Sequence, residues 1–121
     1  DEAVKFTKDR KAFGRTVFEF QNTKFVLADL KAKLQVGWAH LDWALGRHIK
    51  KELTADEAAA AKLFHTELLW EVCDASLQLH GGAGYMNEYL IARIWRDARV
   101  MRIFGGSSEI MKELIAKQIR L

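Results

Sequence analysis

Two long stretches of the chain place apolar residues at steps of three and four, the spacing of one face of an α-helix. The stripe of the first stretch, which begins near Asn22, consists of Leu27, Leu30, Leu34, Trp38, Leu41 and Leu45. The stripe of the second consists of Leu63, Thr66, Trp70, Cys73 and Leu77. The pattern therefore predicts long helices over 22–47 and 55–80, whose apolar stripes face a core or an interface.

Polar residues and glycines mark where the helices begin and end. Thr54 and Glu57 have the spacing of a capping box, so a helix is expected to begin there. A shorter helical segment is predicted over 92–103, and Gly105 with Gly106 ends it. Ser107 is then the expected N-cap of a last helix.

The helical pattern covers nearly the whole chain, and no segment alternates in the manner of a strand. Residues 1–11 are predicted to end a helix that begins in earlier sequence, with a break at Gly14. The 121 residues contain no proline, where average usage would give about six. We therefore expect an all-α fold, an antiparallel up-and-down four-helix bundle.

Composition removes several classes of function. One cysteine, Cys73, excludes an intrachain disulfide and a cysteine zinc site, and it is expected to be a small buried thiol. The formal net charge of +3 is modest with both signs interspersed, so nucleic-acid binding is not expected. No apolar run approaches the roughly 18 residues of a membrane span. The chain begins at Asp1 without methionine, and we expect it to be part of a longer protein.

Five of the eight glycines lie in two clusters that we call the first corner (Gly81–Gly84) and the second corner (Gly105–Gly106). Glycine lets the backbone approach a ligand, and free amides at a helix start can bind an anion or a carbonyl. The four histidines have no metal-ligand spacing, so no metal is expected. The residues alone leave open whether these corners are simple turns or ligand sites.

Five motifs stand at and between these corners. They are Arg10-Lys11-Ala12-Phe13-Gly14, Gln21, Gln78-Leu79-His80-Gly81-Gly82-Ala83-Gly84-Tyr85, Arg96-Asp97-Ala98-Arg99 and Phe104-Gly105-Gly106-Ser107-Ser108-Glu109. In order and spacing they closely resemble the C-terminal helical domain of acyl-CoA dehydrogenases, most of all the long-chain type. The resemblance covers almost the whole chain, 1–121, and leaves the N-terminal helical and middle β-domains of such an enzyme outside it.

The resemblance implies an FAD enzyme that desaturates an acyl-CoA thioester between Cα and Cβ, as in fatty acid β-oxidation. A carboxylate removes the α-proton while the β-hydrogen leaves as hydride to the flavin. The α-proton is acidic enough only when donors polarise the thioester carbonyl. In this family one donor is the backbone amide at the position of Gly105, and the flavin ribityl chain supplies the other.

Carried over position by position, the resemblance assigns two groups of residues. The cofactor-binding positions are Arg10, Phe13, Gln21, Gln78, His80, Gly81, Gly82, Ser107 and Glu109. The substrate-binding positions are Gly105 and Gly106. The segment from Gln78 to Gly82 matches one that contacts the adenosine half of FAD from a neighbouring subunit, so self-association to a dimer or tetramer is expected. Electron-transfer flavoprotein is the expected electron acceptor.

The sequence departs from the family pattern in two places. Gly105 stands where many members carry the catalytic glutamate, so this chain keeps the amide donor and lacks the base. As in long-chain and isovaleryl-type members, we expect the glutamate upstream of Asp1, with no catalytic residue within this chain. Leu90 stands where a proline is common.

Other hypotheses remain open at this point. A non-catalytic subunit of a heteromeric acyl-CoA dehydrogenase would equally lack a glutamate at Gly105, and an oxidase relative or a purely structural helical interaction module are further alternatives. The chain alone is expected to be inactive. The expected location is the cytoplasm, or the mitochondrial matrix in a eukaryote.

Overall fold

The computed structural model describes residues 1–119 and places most of them in five α-helices. The helices are α1 (Glu2–Asp9), α2 (Gln21–Ile49), α3 (Ala55–His80), α4 (Leu90–Val100) and α5 (Ser108–Ala116). Two 3₁₀ turns cover Val17–Glu19 and Gly81–Tyr85, and the strands β1 (Lys11–Ala12) and β2 (Arg15–Thr16) form a short hairpin. The predicted all-α fold is confirmed.

The two long helices lie where the apolar stripes predict them. At the start of α3, the Glu57 carboxylate accepts from the Thr54 amide at 2.9 Å, and the Thr54 hydroxyl accepts from the Glu57 amide at 3.4 Å. This capping box satisfies two amides that the first turn would otherwise leave free. Ser107 likewise accepts from the Ile110 amide at 3.4 Å and caps α5.

Helices α2 and α3 run antiparallel. His40 Nδ1 lies 3.1 Å from His65 Nε2, and nearer the connecting loop Arg47 Nε lies 3.2 Å from Glu57 Oε2. The residue numbers of the contacting positions therefore decrease along α3 as they increase along α2. Burial between these helices, together with the neighbouring His40, lowers the pKa of His65, because both disfavour its charged form.

Helix α3 is the centre of the fold, since it contacts α1, α2, α4 and α5. Small residues let the neighbours approach closely: a Cβ on Gly37 of α2 would lie only 2.7 Å from Leu68 Cδ2 of α3. Cys73 is buried, as expected, and this burial raises the pKa of its thiol. The buried apolar residues are Ala3, Leu30, Ala44, Ala59, Leu68, Cys73, Ile91, Ala92, Ala98 and Met111.

The apolar stripe of α2 is only partly covered. Leu30 is buried, whereas Leu45 is 49% and Trp38 is 61% exposed. The reason is that α3 covers one side of α2, while the rest of the stripe meets solvent in the isolated chain. Helical spacing of apolar residues on α2 thus identifies both core positions and positions that are exposed in the isolated chain. None of the helices within residues 1–119 combines the length and the hydrophobicity that a membrane span requires.

The hairpin corrects the expectation of a simple break at Gly14. Lys11 pairs with Thr16, and both central residues of the turn have positive φ, 52° at Phe13 and 78° at Gly14. This backbone conformation is typical of the two-residue turns that connect the strands of a β-hairpin. Strands of two residues are too short to show alternation, so the sequence pattern does not reveal them. The third predicted helix also begins and ends earlier, at Leu90–Val100 instead of 92–103.

Candidate functional site

The first corner follows the end of α3 and forms one wall of a surface recess of about 360 Å³. Five of the predicted cofactor-binding residues line this recess: Arg10, Gln78, His80, Gly81 and Gly82. Arg10 reaches it because α1 ends there and packs against α3. Residues separated by about seventy positions in the sequence are therefore brought together at one surface.

His80 is the buried polar residue of this recess, with 6% of its surface exposed. Its ring stacks on Phe6 of α1, with centroids 4.4 Å apart. Nδ1 lies 2.7 Å from the Ser76 carbonyl oxygen and must carry the hydrogen, because a carbonyl oxygen only accepts. The imidazole is thereby fixed in position, and Nε2 remains as the second polar atom of the ring.

The glycines of the first corner serve two different purposes. Gly81 ends α3 with φ of 58°, and a Cβ at Gly81 or Gly82 would meet open space. Gly84 is buried, and a Cβ there would lie 2.6 Å from the Leu77 carbonyl oxygen. The outer glycines thus leave room for a ligand to approach the backbone, whereas Gly84 is required for packing.

The second corner lies between α4 and α5. Gly105 and Gly106 have φ of 61° and 96°, which ordinary residues rarely adopt. Across residues 1–119, the Gly105 N–H meets no hydrogen-bond acceptor, and Gly105 is exposed. The pKa of Glu109 is below its usual value because the carboxylate accepts hydrogen bonds from its own backbone amide and from Ser107. This corner combines an unused amide donor with a capped helix start.

Side chains from α3 hold the second corner, and the sequence analysis did not identify them. Lys62 Nζ contacts carbonyl oxygens of the turn, among them that of Phe104 at 3.0 Å. Glu67 accepts from Arg102 Nε at 2.9 Å and Nη2 at 2.8 Å, and from the Ser108 hydroxyl at 3.0 Å. These partners are about forty positions apart in the chain, so no local motif could indicate them.

Four predicted cofactor-binding residues do not line the recess of the first corner: Ser107 and Glu109 stand at the second corner, and Phe13 and Gln21 lie at neither corner. Phe13 is at the hairpin turn with 95% of its surface exposed, and its ring contacts Phe20 edge to face. Gln21 is exposed at the first position of α2. Within residues 1–119, no group of histidine, cysteine or carboxylate side chains could hold a metal ion.

Comparison with known proteins identifies the family. The family model described as "Acyl-CoA dehydrogenase, C-terminal domain" matches residues 1–120. The chain belongs to the acyl-CoA dehydrogenase family. It is 47% identical over 119 residues to "Long-chain specific acyl-CoA dehydrogenase, mitochondrial" of Mus musculus, a match that covers 98% of this chain and 28% of that protein. The expected resemblance to the long-chain type is thus confirmed.

Two further relatives extend the comparison. The crystal structure of acyl-CoA dehydrogenase from Geobacillus kaustophilus has a TM-score of 0.95 and 38% identity, over 99% of this chain and 32% of that chain. "Caffeyl-CoA reductase-Etf complex subunit CarC" of Acetobacterium woodii is 36% identical over 96% of this chain and 31% of that protein. The chain therefore spans about a third of the length of the relatives it matches.

Acyl-CoA dehydrogenases are FAD enzymes, and the recess of the first corner fits part of such a cofactor. Arg10 supplies a cation suited to phosphate. The open space at Gly81 and Gly82 is a cradle that a Cβ would fill. His80 adds a fixed polar ring to a mainly backbone surface. A cation beside open backbone suits an anionic ligand such as the phosphate groups of a cofactor.

Proposed function

We propose that this chain is the C-terminal domain of an FAD-dependent acyl-CoA dehydrogenase that desaturates an acyl-CoA thioester between Cα and Cβ. The observation that carries this proposal is the second corner, where the Gly105 N–H has no acceptor among residues 1–119. An acyl-CoA carbonyl at this amide would complete its hydrogen bonding. The N-terminal helical and middle β-domains would then precede this domain in the complete enzyme.

At the second corner the chain's own contribution is to polarise the substrate. A hydrogen bond from Gly105 to the thioester oxygen stabilises the negative charge that develops when the α-proton leaves. The hydride acceptor for the β-hydrogen would be supplied by bound FAD. We assign the base to a glutamate upstream of Asp1. Gly106 would border the acyl chain, and Ser107 and Glu109 would face the flavin side of the turn.

At the first corner the chain would bind the cofactor. We infer that Arg10, Gln78, His80, Gly81 and Gly82 contact one portion of FAD, because they line one recess. Phe13 and Gln21 would contact another portion from the hairpin and the start of α2. Following the family resemblance, the FAD contacted by the first corner belongs to a neighbouring subunit.

Self-association is part of this proposal. Phe25, Val36 and Trp38 of α2 are each more than 60% exposed in the isolated chain. Large apolar side chains that are exposed in an isolated domain are candidates for contact with another chain. We expect copies of the enzyme to associate as dimers or tetramers through exposed apolar side chains of α2, whereas this chain alone is expected neither to retain FAD nor to turn over acyl-CoA.

The relative CarC is named as a subunit of a complex with Etf. We propose that an electron-transfer flavoprotein accepts electrons from this enzyme. The enzyme would work in the cytoplasm, or in the mitochondrial matrix of a eukaryote. A non-catalytic subunit of the same fold is the second candidate, and it is favoured by the glycine at position 105.

The test is acyl-CoA-dependent bleaching of the flavin, followed by stopped flow in the complete protein. The proposal predicts bleaching with a saturated acyl-CoA and formation of the enoyl-CoA. A complete protein that binds FAD and acyl-CoA without bleaching would instead support the non-catalytic subunit.

The recess of the first corner has its own test. Arg10→Gln in the complete protein is expected to weaken FAD binding by about 10–100-fold, because a charged hydrogen bond contributes about 1.5–3 kcal/mol. Arg93→Gln, which replaces an exposed arginine of α4 outside the motifs, is the matched control and is expected to bind FAD as the wild type does. FAD affinity by fluorescence titration is the measurement. Equal affinities for both variants would contradict the assignment of Arg10.

A further inference from the structure

The ammonium group of Lys62, on α3, contacts three backbone carbonyls in and just before the second corner. Its Nζ lies 3.0 Å from the Phe104 carbonyl oxygen and 3.4 Å from that of Met101, and it also contacts the Gly106 carbonyl oxygen. An ammonium group has three N–H donors, and this one meets three carbonyls. The contact is therefore specific to the path of the backbone through this turn.

One of these carbonyls belongs to the peptide group that carries the proposed substrate donor. The Phe104 C=O and the Gly105 N–H are opposite ends of a single planar peptide unit. A cation bound at the oxygen fixes the plane of that unit. It also draws electron density toward the oxygen, which makes the N–H at the other end a stronger donor.

We propose that Lys62 is a positioning residue for the reaction, acting through the Phe104–Gly105 peptide. Its ammonium orients this peptide and polarises it, so that the Gly105 N–H donates more strongly to the thioester carbonyl. The role in the reaction rests on the proposed function. The effect of Lys62 on the peptide itself does not require acyl-CoA or flavin.

The second corner is also fixed independently of Lys62. Glu67, five positions later on α3, binds Arg102 on one side of the turn and Ser108 on the other. Loss of Lys62 therefore leaves both flanks of the turn attached to α3. Its removal is expected to change the donor at Gly105 more than the fold around it.

The kinetic test uses Lys62→Met in the complete holoenzyme, since methionine keeps much of the side-chain length without the charge. Removal of a whole oxyanion donor costs roughly 100–1000-fold in rate, and Lys62 strengthens such a donor without being one. We expect the rate of flavin reduction at saturating acyl-CoA to fall about tenfold, with little change in KM and partial recovery in Lys62→Arg. Lys31→Met, an exposed lysine of α2, is the matched control and keeps the wild-type rate.

A second readout follows the peptide directly by nuclear magnetic resonance. Labelling phenylalanine at the carbonyl carbon and glycine at nitrogen selects Phe–Gly peptides, of which this chain has two, Phe13–Gly14 and Phe104–Gly105. Loss of one signal in Gly105→Ala assigns it. In Lys62→Met the Gly105 amide proton is expected to move upfield, while the Gly14 signal, the internal reference, stays in place.

The outcomes separate this inference from the proposed function. A Lys62→Met enzyme with an unchanged Gly105 signal and an unchanged reduction rate would overturn it, as would a change confined to KM. A wild-type enzyme without acyl-CoA activity would overturn the role in the reaction through the proposed function, while the shift at Gly105 would still support the effect on the peptide. If Lys62→Met does not fold, Lys62→Gln, which keeps an N–H donor without charge, undergoes the same comparison.

Discussion

The two glycine corners differ in what fixes their backbone. At the first corner Gly84 is buried, and the Leu77 carbonyl lies 2.6 Å from the position of a Cβ. At the second corner Gly105 is exposed with open space around it, and its neighbours are bound by Lys62 and Glu67 of α3. The first corner is shaped by packing, whereas the second is positioned by polar side chains. A turn of the second kind can expose a free amide to a substrate without losing its position.

The largest expected effect concerns packing at the first corner. Gly84→Ala places a methyl group against backbone that cannot move aside, so we expect a loss of about 2–3 kcal/mol in the free energy of unfolding. Gly82→Ala is the matched control, because its Cβ would meet open space, and it is expected to be nearly neutral. Urea unfolding of both variants measures the difference. Equal stabilities would show that packing does not shape this corner.

The polar attachment of the second corner is expected to contribute less. Glu67→Gln removes the charge that binds both nitrogens of Arg102, and we expect a loss of about 1–2 kcal/mol, since such charge-assisted pairs on a partly exposed surface contribute modestly. Glu113→Gln is the control, because Glu113 and Lys117 form an exposed pair at 3.7 Å. Thermal unfolding should separate the two variants. A loss in Glu113→Gln as large as in Glu67→Gln would contradict a specific attachment at this corner.

The smallest expected effect is a pH-dependent change in stability at the second corner, where Glu109 lies. Because hydrogen bonds hold the pKa of Glu109 below its ordinary value of 4.5, this carboxylate stabilises the fold above pH 4.5. That contribution is lost as the pH falls through the folded-state pKa. Glu109→Gln is therefore expected to lower the melting temperature slightly at pH 6 and to match the wild type at low pH. A difference that is independent of pH would exclude the carboxylate as its cause.

The sequence predicted the helices well because their signals are local. The Thr54 capping box and the apolar stripes placed α2 and α3 within a few residues of their observed bounds. The hairpin was missed, since two-residue strands carry no periodic pattern and a positive φ at Phe13 is not expected of a phenylalanine. The uncovered part of the α2 stripe could not be recognised either, because core and interface positions have the same spacing.

The candidate site was predictable to the extent that motifs carry it. The residues assigned to FAD from the resemblance at Arg10 and at Gln78 to Gly82 do line one recess. Lys62 and Glu67 were missed, because their partners lie about forty positions away and become neighbours only when α3 packs against the turn. Long-range polar contacts of this kind have no signature in a single sequence.

The central claim is that the second corner lies against the thioester of an acyl-CoA, with the Gly105 N–H at the carbonyl oxygen and the base supplied from upstream of Asp1. A general base must lie within hydrogen-bond reach of the proton it removes. A side chain introduced at position 105 would project from the same turn as the amide donor and therefore lie near the bound thioester. The space there is open to a side chain, although the positive φ strains any residue other than glycine.

The most direct measurement is acyl-CoA-dependent flavin bleaching in the complete enzyme after the upstream glutamate is removed. We expect that removal to lower the rate by about 10²–10⁴-fold with FAD still bound. Adding Gly105→Glu should restore part of the rate, since a misplacement of about 1 Å can cost about a hundredfold, whereas Gly105→Gln should restore none. If bleaching persists with every upstream glutamate removed, or if glutamine restores the rate as well as glutamate does, the assignment of the base and the placement of Gly105 beside the thioester are wrong.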